Sequence, residues 1–135
     1  NSTTPSIWPS KGVITSPYGS RIDPVTGASS AFHEGIDIAD DYGTSIVATA
    51  AGTVTIAGYT DGGYGNLVEI DHGNGFVTRY GHNSAVLVTP GMSVKQGQVI
   101  ALMGSTGKST GAHVHYEVRI NGTAVDPMVF LPISN

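Results

Sequence analysis

The sequence predicts an all-β fold, with largely antiparallel, twisted sheets in one compact domain, short strands and glycine-rich loops. Apolar runs rich in β-branched residues alternate with glycine-containing breaks, a pattern typical of strands joined by tight turns. Glycine occupies 19 of the 135 positions, about twice its usual share in globular proteins. No window sustains the i, i+3, i+4, i+7 apolar spacing of an amphipathic helix, and the best candidate, residues 83–92, is β-branched and interrupted by Pro90.

The individual strands are predicted from apolar runs that end at turn residues. Residues 12–21 indicate a strand that enters a turn, and residues 45–59 indicate two strands that meet at Ala51 and Gly52. Residues 66–82 have the pattern of a hairpin, with the runs LVEI and FVTRY on either side of a turn at 73–75. Further strands are expected at 99–104 and 113–122.

The chain is expected to form one domain with a short lead-in. Residues 1–8 are predicted to be extended, and residues 9–135 to form the domain. The proline-containing tail from Val125 onward is expected to pack on the outside of that domain.

Composition excludes several classes of protein. The chain has no cysteine, so neither a disulfide nor a thiolate metal site is available. The formal net charge is −4 and the six Lys and Arg residues are scattered, so a nucleic-acid partner is not expected. No run of about eighteen apolar residues exists, so no insertion into a membrane is expected. The chain begins NSTTPS, as a trimmed or mature form would.

His113 and His115 lie one residue apart in a predicted strand. Side chains alternate across a strand, so residues i and i+2 share a face with Cα atoms roughly 6.5 to 7 Å apart. Two imidazoles at this spacing can converge on one metal ion, as zinc would require with bonds to nitrogen of about 2.0 to 2.1 Å. The alternative is two unrelated polar residues on a solvated face.

His33 and Asp37 form a second pair, four residues apart in the stretch FHEGIDIA. Gly35 and the β-branched Ile36 argue against a helix, and in a straight strand the two side chains would be about 13 Å apart. They can share a metal only if the chain bends between them, and Gly35 permits such a bend. The alternative is a surface histidine and a turn aspartate.

The two pairs together would give a ligand set of two histidines and one carboxylate. Three protein ligands leave a fourth tetrahedral position for water, as in catalytic zinc sites. The remaining strand histidine would then lie beside that water, where it could exchange a proton or donate to an oxyanion.

The sequence resembles the lysostaphin/LytM-type zinc metallopeptidases, which cut peptide bonds in bacterial peptidoglycan. The resemblance runs from about residue 9 to 131 and depends on the order and spacing of the blocks ITSPYGSR, FHEGIDIA, GTSIVATAAGTVTIAG, GYGNLVEIDHGNGFVTRYGH, GMSVKQGQVIALMGSTGKSTGAHVHYEVRING and VDP. Two departures, Ala112 where proline is common and the stretch ADD at 39–41, affect no position with an assigned role.

The resemblance implies a role for each of five residues. It implies Zn²⁺ ligands at His33, Asp37 and His115, and catalytic roles for His113 and for His82, which follows the dipeptide Tyr80–Gly81. From the residues alone, His82 is better interpreted as a surface histidine at the end of a strand. Which of His82 and His113 is the general base stays open.

Other signals are weaker. The segment GSTGKSTG lacks the first glycine of a phosphate-binding loop, because Leu102 occupies that position, and is interpreted as a flexible loop. His72 is expected to be structural. Glu34 could act as a base beside His33, although neighbouring side chains of an extended segment diverge. Tyr64, Tyr80 and Arg21 could line a substrate groove or be ordinary surface residues.

The expected function is therefore that of an extracytoplasmic zinc endopeptidase acting on the peptide part of peptidoglycan. Because the site needs neutral imidazoles, activity should fall as the pH drops through roughly 6 to 7. One alternative is a catalytically inactive cell-wall or partner-binding module on the same fold, and another is a purely structural zinc site. The bond cleaved, the oligomeric state, autoinhibition and any regulatory domains of the parent protein are left open.

Overall fold

The structure is a computed structural model that describes residues 5, 7–16, 18–22, 29–60, 64–73, 75–105 and 111–132, and the side chains of these residues except 20–22 and 29–33. Regular structure in these ranges is β-strand, apart from one 3₁₀ turn at Pro127–Val129. The strands are β1 (Val13–Ser16), β2 (Gly19–Ile22), β3 (Ser29–His33), β4 (Ile36–Ala39), β5 (Ser45–Val47), β6 (Gly52–Thr60), β7 (Gly65–Gly73), β8 (Phe76–Val86), β9 (Ser93–Val94), β10 (Val99–Met103), β11 (His113–Ile120) and β12 (Thr123–Val125).

Ten of these strands form a single sheet, and β2 and β3 form a separate two-stranded sheet. The main path through the large sheet is β1-β4-β11-β8-β7-β6-β9, with β12 paired to β11 and β10 paired to both β5 and β8. The pairings along the path are antiparallel. The predicted all-β, antiparallel fold is confirmed.

The alternation of residues in β11 divides the sheet into two faces. Val114, Tyr116 and Val118 are completely buried and belong to the hydrophobic core. The residues that alternate with them, His113, His115, Glu117 and Arg119, lie on the opposite face, as the period of two requires. We call this second surface the site face.

The β7–β8 hairpin contains a bulge near its open end. Asn66 pairs with Asn83 and Val68 pairs with Tyr80, so one residue of β7 lies opposite two of β8, Gly81 and His82. His82 has a φ of 66°, in the left-handed region that non-glycine residues rarely adopt. At the other end, Gly73 and Gly75 have φ values of 82° and 83°, as the predicted turn requires; Asn74 lies outside the described residues.

The predicted bend between His33 and Asp37 is present. Strand β3 ends at His33 and β4 begins at Ile36. Gly35 is buried here, and a Cβ atom on it would collide with the carbonyl oxygen of Tyr116 and lie 2.9 Å from Cγ of Glu117. Its φ lies outside the left-handed region, so glycine is required by this close approach to β11.

The two ends of the described chain meet beside the core. The indole Nε1 of Trp8 donates to the carbonyl oxygen of Pro132 at 3.2 Å, and Trp8 and Phe130 both pack against the core cluster. Phe130 also meets Phe76 edge-on, with ring centroids 5.6 Å apart. In the described ranges, we find no helix with the length and apolar character needed to cross a membrane.

Candidate active site

Asp37 and His115 are brought together by the pairing of β4 with β11. The two residues are direct cross-strand partners, and both project from the site face because their neighbours Ile36, Ile38 and Tyr116 fill the core. Directly opposed residues have Cβ atoms about 4.5 to 5.5 Å apart. As a result, Nδ1 of His115 lies 3.1 Å from Oδ1 of Asp37.

His113 lies beside this pair on the same strand. Its Nε2 is 3.7 Å from Oδ1 of Asp37, and its Nδ1 is 2.9 Å from the carbonyl oxygen of Gly111. A carbonyl oxygen can only accept, so Nδ1 carries the proton of a neutral ring. In that neutral ring, the lone pair of Nε2 faces the Asp37–His115 pair.

His82 reaches the same place through the bulge in β8. In a regular strand His82 would share the face of Tyr80, and Tyr80 is completely buried in the core. The extra residue and the left-handed φ instead turn His82 to the site face, where its ring centroid lies 4.7 Å from that of His113 and 6.1 Å from that of His115. His82 is only 7% exposed, so the surface interpretation was wrong.

Glu117 supports His115 from the side opposite Asp37. Its Oε2 lies 2.7 Å from Nε2 of His115 and accepts a hydrogen bond from the Tyr64 hydroxyl at 2.6 Å. Its Oε1 accepts from Nε of Arg119 at 2.8 Å. Glu117 is 1% exposed, so these groups replace water around the carboxylate.

The charges around His115 shift two pKa values in opposite directions. Burial alone would lower the pKa of His115, but the hydrogen bonds to Asp37 and Glu117 outweigh it and raise the pKa to about 9. Burial alone would raise the pKa of Glu117, but the hydrogen bonds from His115 and Tyr64 lower it to about 2. An imidazole between two carboxylates thus favours a positive charge.

The same geometry tests whether a metal fits. A neutral His115 that donates from Nε2 to Glu117 presents the lone pair of Nδ1 to a carboxylate oxygen 3.1 Å away. Two such acceptors repel unless a proton or a cation lies between them. Two ligands of a tetrahedral zinc ion are roughly 3.3 Å apart, given bonds of about 2.0 to 2.1 Å, so the donor pair fits that ion.

The third predicted ligand lies where the structure describes only the backbone. His33 is the last residue of β3 and pairs with Gly19, two residues before the buried Gly35. Its side chain lies outside the described residues. Among the side chains that are described, no group of three or more histidine, aspartate or glutamate residues is arranged to hold a metal ion.

Two of the weaker sequence signals have other roles. Glu34 is an exposed residue whose Oε2 accepts from Nη2 of Arg119 at 2.9 Å, so its carboxylate is turned to β11. The suggestion that Tyr80 lines a groove is wrong, because its ring packs against Tyr116 in the core with centroids 5.4 Å apart. The side chain of Arg21 and the segment 106–110 lie outside the described residues.

His72 is part of the interior. It is 4% exposed, its Nδ1 donates to the carbonyl oxygen of Ala51 at 2.8 Å, and its Nε2 lies 2.7 Å from Oγ1 of Thr78. The predicted structural position of His72 agrees with these contacts.

Sequence reasoning missed Glu117 and the hydroxyl of Tyr64. The signal for Glu117 was present, because the period of two that pairs His113 with His115 also places Glu117 and Arg119 on that face. For Tyr64 no local pattern was sufficient, since its hydroxyl meets Glu117 across 53 residues of sequence.

The family model described as peptidase family M23 matches residues 31–127 of this chain. Among curated relatives, the chain is 48% identical over 120 residues to the DD-carboxypeptidase/endopeptidase Mpg of Neisseria meningitidis, covering 88% of this chain and 27% of that protein. It is 42% identical over 125 residues to the murein hydrolase activator NlpD of Escherichia coli, covering 93% of this chain and 31% of that protein. The chain thus spans about a third or less of the length of these relatives.

Solved structures show the same fold. A zinc-containing peptidase from Vibrio cholerae matches with a TM-score of 0.83 and 38% identity, over 90% of this chain and 38% of that chain. The catalytic domain of lysostaphin from Staphylococcus simulans matches with a TM-score of 0.78 and 33% identity, over 88% of this chain and 91% of that chain. The resemblance to lysostaphin-type peptidases is confirmed.

Proposed function

The chain belongs to peptidase family M23. We propose that it is a zinc-dependent endopeptidase that hydrolyses peptide bonds in the stem peptide or cross-bridge of bacterial peptidoglycan. One observation carries the proposal: Nδ1 of His115 faces Oδ1 of Asp37 at 3.1 Å, with the rings of His113 and His82 beside them. A site that only binds a partner protein would not require His113 and His82 beside Asp37 and His115, two residues whose facing acceptor atoms favour a cation between them.

The residues proposed to hold zinc are His33, Asp37 and His115. Two neutral imidazoles and one carboxylate would leave the bound ion with a net charge of +1, and in that state it would polarise a carbonyl and lower the pKa of a bound water.

His113 is proposed as the general base. Its Nδ1 is hydrogen-bonded to the carbonyl oxygen of Gly111 at 2.9 Å, which keeps Nε2 unprotonated in the neutral ring and turned toward the Asp37–His115 pair. Nε2 can therefore take the proton of the attacking water and later give it to the leaving amine.

His82 is proposed to stabilise the oxyanion of the tetrahedral intermediate. Its ring centroid lies 4.7 Å from that of His113, so one substrate carbonyl can lie within reach of both rings. The strained backbone at His82 supports this role, because residues held in sparsely populated φ, ψ regions cluster at active sites.

An activating module without its own hydrolytic activity is the second candidate. The observation that favours it is the 42% identity to a protein named as a murein hydrolase activator. Under either proposal the partner is peptidoglycan or a protein acting on it, and the place of action is extracytoplasmic. Regulatory domains elsewhere in the parent protein are also proposed, since the relatives are longer than this chain.

Alanine variants tested on purified sacculi separate these functions. We expect Asp37→Ala and His115→Ala to lose zinc, measured by metal analysis after dialysis, and to lose hydrolysis with it. His113→Ala and His82→Ala should retain zinc but release soluble muropeptides at least 100-fold more slowly, since proton transfer and oxyanion stabilisation each contribute about 10²-fold or more. Mass spectrometry of fragments from sacculi of two cross-link types identifies the bond.

A matched control is Glu69→Gln. Glu69 lies on the same face and pairs with Arg79 at 2.6 Å, so the variant removes a comparable charge without touching the four residues tested. It should hydrolyse as the wild type does. The activator candidate predicts no muropeptide release by the wild-type chain alone, and normal digestion by both His113→Ala and His82→Ala would refute the assigned mechanism.

A further inference from the structure

Glu117 is a charged group buried at a cost that its surroundings must offset. At 1% exposure, a carboxylate without partners would be strongly destabilising. Its three donors come from two parts of the fold: Tyr64 precedes β7, whereas His115 and Arg119 lie on β11, two residues before and two residues after Glu117. Such a carboxylate with a full set of partners has a fixed orientation.

These donors also determine which hydrogen bond Glu117 can make with His115. Nε of Arg119 is always a donor, and it occupies Oε1 at 2.8 Å. The Tyr64 hydroxyl accepts from Nη1 of Arg79 at 3.2 Å and donates its single proton to Oε2 at 2.6 Å. Oε2 is therefore left as an acceptor for Nε2 of His115.

We infer that Glu117, held in place by Arg119 and Tyr64, is a positioning residue that keeps the proton of neutral His115 on Nε2 and so presents Nδ1 to the metal position beside Asp37. The inference rests on the proposed zinc site. Partners of this kind fix the tautomer and ring orientation of metal-binding histidines, and their loss costs about 10- to 100-fold in metal affinity.

The same network reaches the bend that carries His33. Arg119 uses Nη2 to pair with Glu34 at 2.9 Å while its Nε pairs with Glu117. Glu34 immediately follows His33, and Gly35 packs so closely against Glu117 that a Cβ atom added to the glycine would lie 2.9 Å from Cγ of Glu117. The orientation of His115 and the position of the bend are thus set by the same side chains.

Glutamine at position 117 provides a selective test, because it keeps the size of the side chain while it removes one negative charge and replaces one acceptor oxygen by a donor. The double variant Glu117→Gln/Arg119→Met separates the donor pattern from the charge, since it lacks the Glu117 charge as well. Nε of Arg119 can only donate, whereas the Tyr64 hydroxyl and a neutral His115 can each accept. The amide oxygen should therefore turn to Arg119, and the amide nitrogen to Tyr64 and His115. Nε2 of His115 would then have to accept, which moves its proton to Nδ1, opposite Asp37. Removing the guanidinium in the same chain allows the amide to rotate and offer its oxygen to His115.

The experiment measures zinc affinity at one pH by competition with a chromophoric chelator, with thermal unfolding of each metal-free variant alongside. We expect Glu117→Gln to bind zinc about 10- to 100-fold more weakly than the wild type. Arg119→Met should weaken zinc binding less than Glu117→Gln does, because Oε2 of Glu117 can still accept from Nε2 of His115. The double variant Glu117→Gln/Arg119→Met should recover affinity to within about threefold of Arg119→Met. The control Asp71→Asn removes one exposed carboxylate whose Oδ1 accepts from the backbone N–H of Gly73, and it should bind zinc as the wild type does.

A second measurement is made on the zinc-loaded protein. In the wild type, the Nε2 proton of His115 should give a nitrogen-coupled NMR signal protected from solvent exchange by Glu117, and that signal should be lost in Glu117→Gln. Equal zinc affinity of Glu117→Gln and wild type, or a double variant no better than Glu117→Gln alone, would overturn the inference. A wild type that binds no zinc would instead overturn the proposed function, so the two failures are distinguishable.

Discussion

His115 is surrounded by more negative charge than one neutral imidazole can satisfy. Asp37 faces Nδ1 and Glu117 faces Nε2, at 3.1 and 2.7 Å. In the metal-free protein a proton on Nδ1 resolves this conflict, which is why the pKa is raised to about 9. A metal ion bound by Nδ1 has to displace that proton.

Zinc affinity should therefore depend on pH over a higher range than the ordinary pKa of histidine suggests. Because the metal-free pKa of His115 is raised to about 9, we expect the apparent affinity to fall about tenfold for each pH unit below that value. Competition titrations at pH 6, 7 and 8 measure the slope, and calorimetry in two buffers of different ionisation enthalpy counts the proton released. An affinity that is constant between pH 7 and 8 would contradict the expectation.

Adding a single methyl group at Gly35 should destabilise the folded protein. A Cβ atom would collide with the carbonyl oxygen of Tyr116 and crowd Cγ of Glu117, so Gly35→Ala should lower the free energy of unfolding by about 1 to 3 kcal/mol. Gly111→Ala is the matched control, since a Cβ there meets nothing within 4 Å. Urea denaturation of the two variants gives the difference, and equal stabilities would show that β11 moves aside without cost.

At the scale of a single element, β8 is the strand whose irregularity builds the site. Its first part pairs regularly with β11, ending at Gly81 opposite His115. The bulge against β7 then turns His82 to the site face, and the backbone N–H of His82 donates to the carbonyl oxygen of Tyr64 at 2.6 Å. Bulges commonly re-aim a side chain next to an active site.

The left-handed backbone of His82 predicts a difference in stability between two variants at this position. Asparagine tolerates positive φ, whereas a β-branched residue there is a genuine outlier. With φ at 66°, we expect His82→Asn to be more stable than His82→Val by about 1 to 2 kcal/mol. Chemical denaturation compares them, and a valine variant as stable as the asparagine variant would indicate that the strain is absent.

At the scale of the whole molecule, a buried chain of polar groups connects several strands across the core. The Tyr116 hydroxyl lies 2.8 Å from Oγ1 of Thr49, which is 3.1 Å from the Tyr80 hydroxyl. Tyr80 in turn meets Oγ1 of Thr78 at 2.7 Å, and Thr78 meets His72. Satisfied networks of this kind favour one arrangement of a core, because a broken member leaves an unpaired polar group.

His72 makes this network sensitive to acid. Burial lowers its pKa below the ordinary 6.5, despite the opposing effects of the Ala51 carbonyl and Asp71. His72 of the unfolded chain binds a proton near pH 6.5, whereas His72 of the folded chain binds one only at lower pH. His72 therefore favours the folded state above pH 6.5, and this contribution to stability is lost as the pH falls. For one titrating group, the free energy of unfolding cannot change by more than about 1.4 kcal/mol per pH unit.

The measurement is the free energy of unfolding at pH 7.5, 6.5 and 5.5 for the wild type and for His72→Gln. The wild type should lose more stability than the variant between pH 6.5 and 5.5. Parallel curves would mean that His72 is protonated in the folded protein without penalty.

The sequence alone determined the faces of β11 and the hairpin of β7 and β8, because alternation and turn chemistry are local properties of the backbone. His113 and His115 could be placed together for that reason, and Gly35 marked the bend before Asp37. Two features became known from the three-dimensional structure: Asp37 lies opposite His115, 78 residues away in sequence, and His82 does not share the face of Tyr80. Both depend on register and on one extra residue in a strand, which cross-strand packing determines and no local pattern of residues encodes.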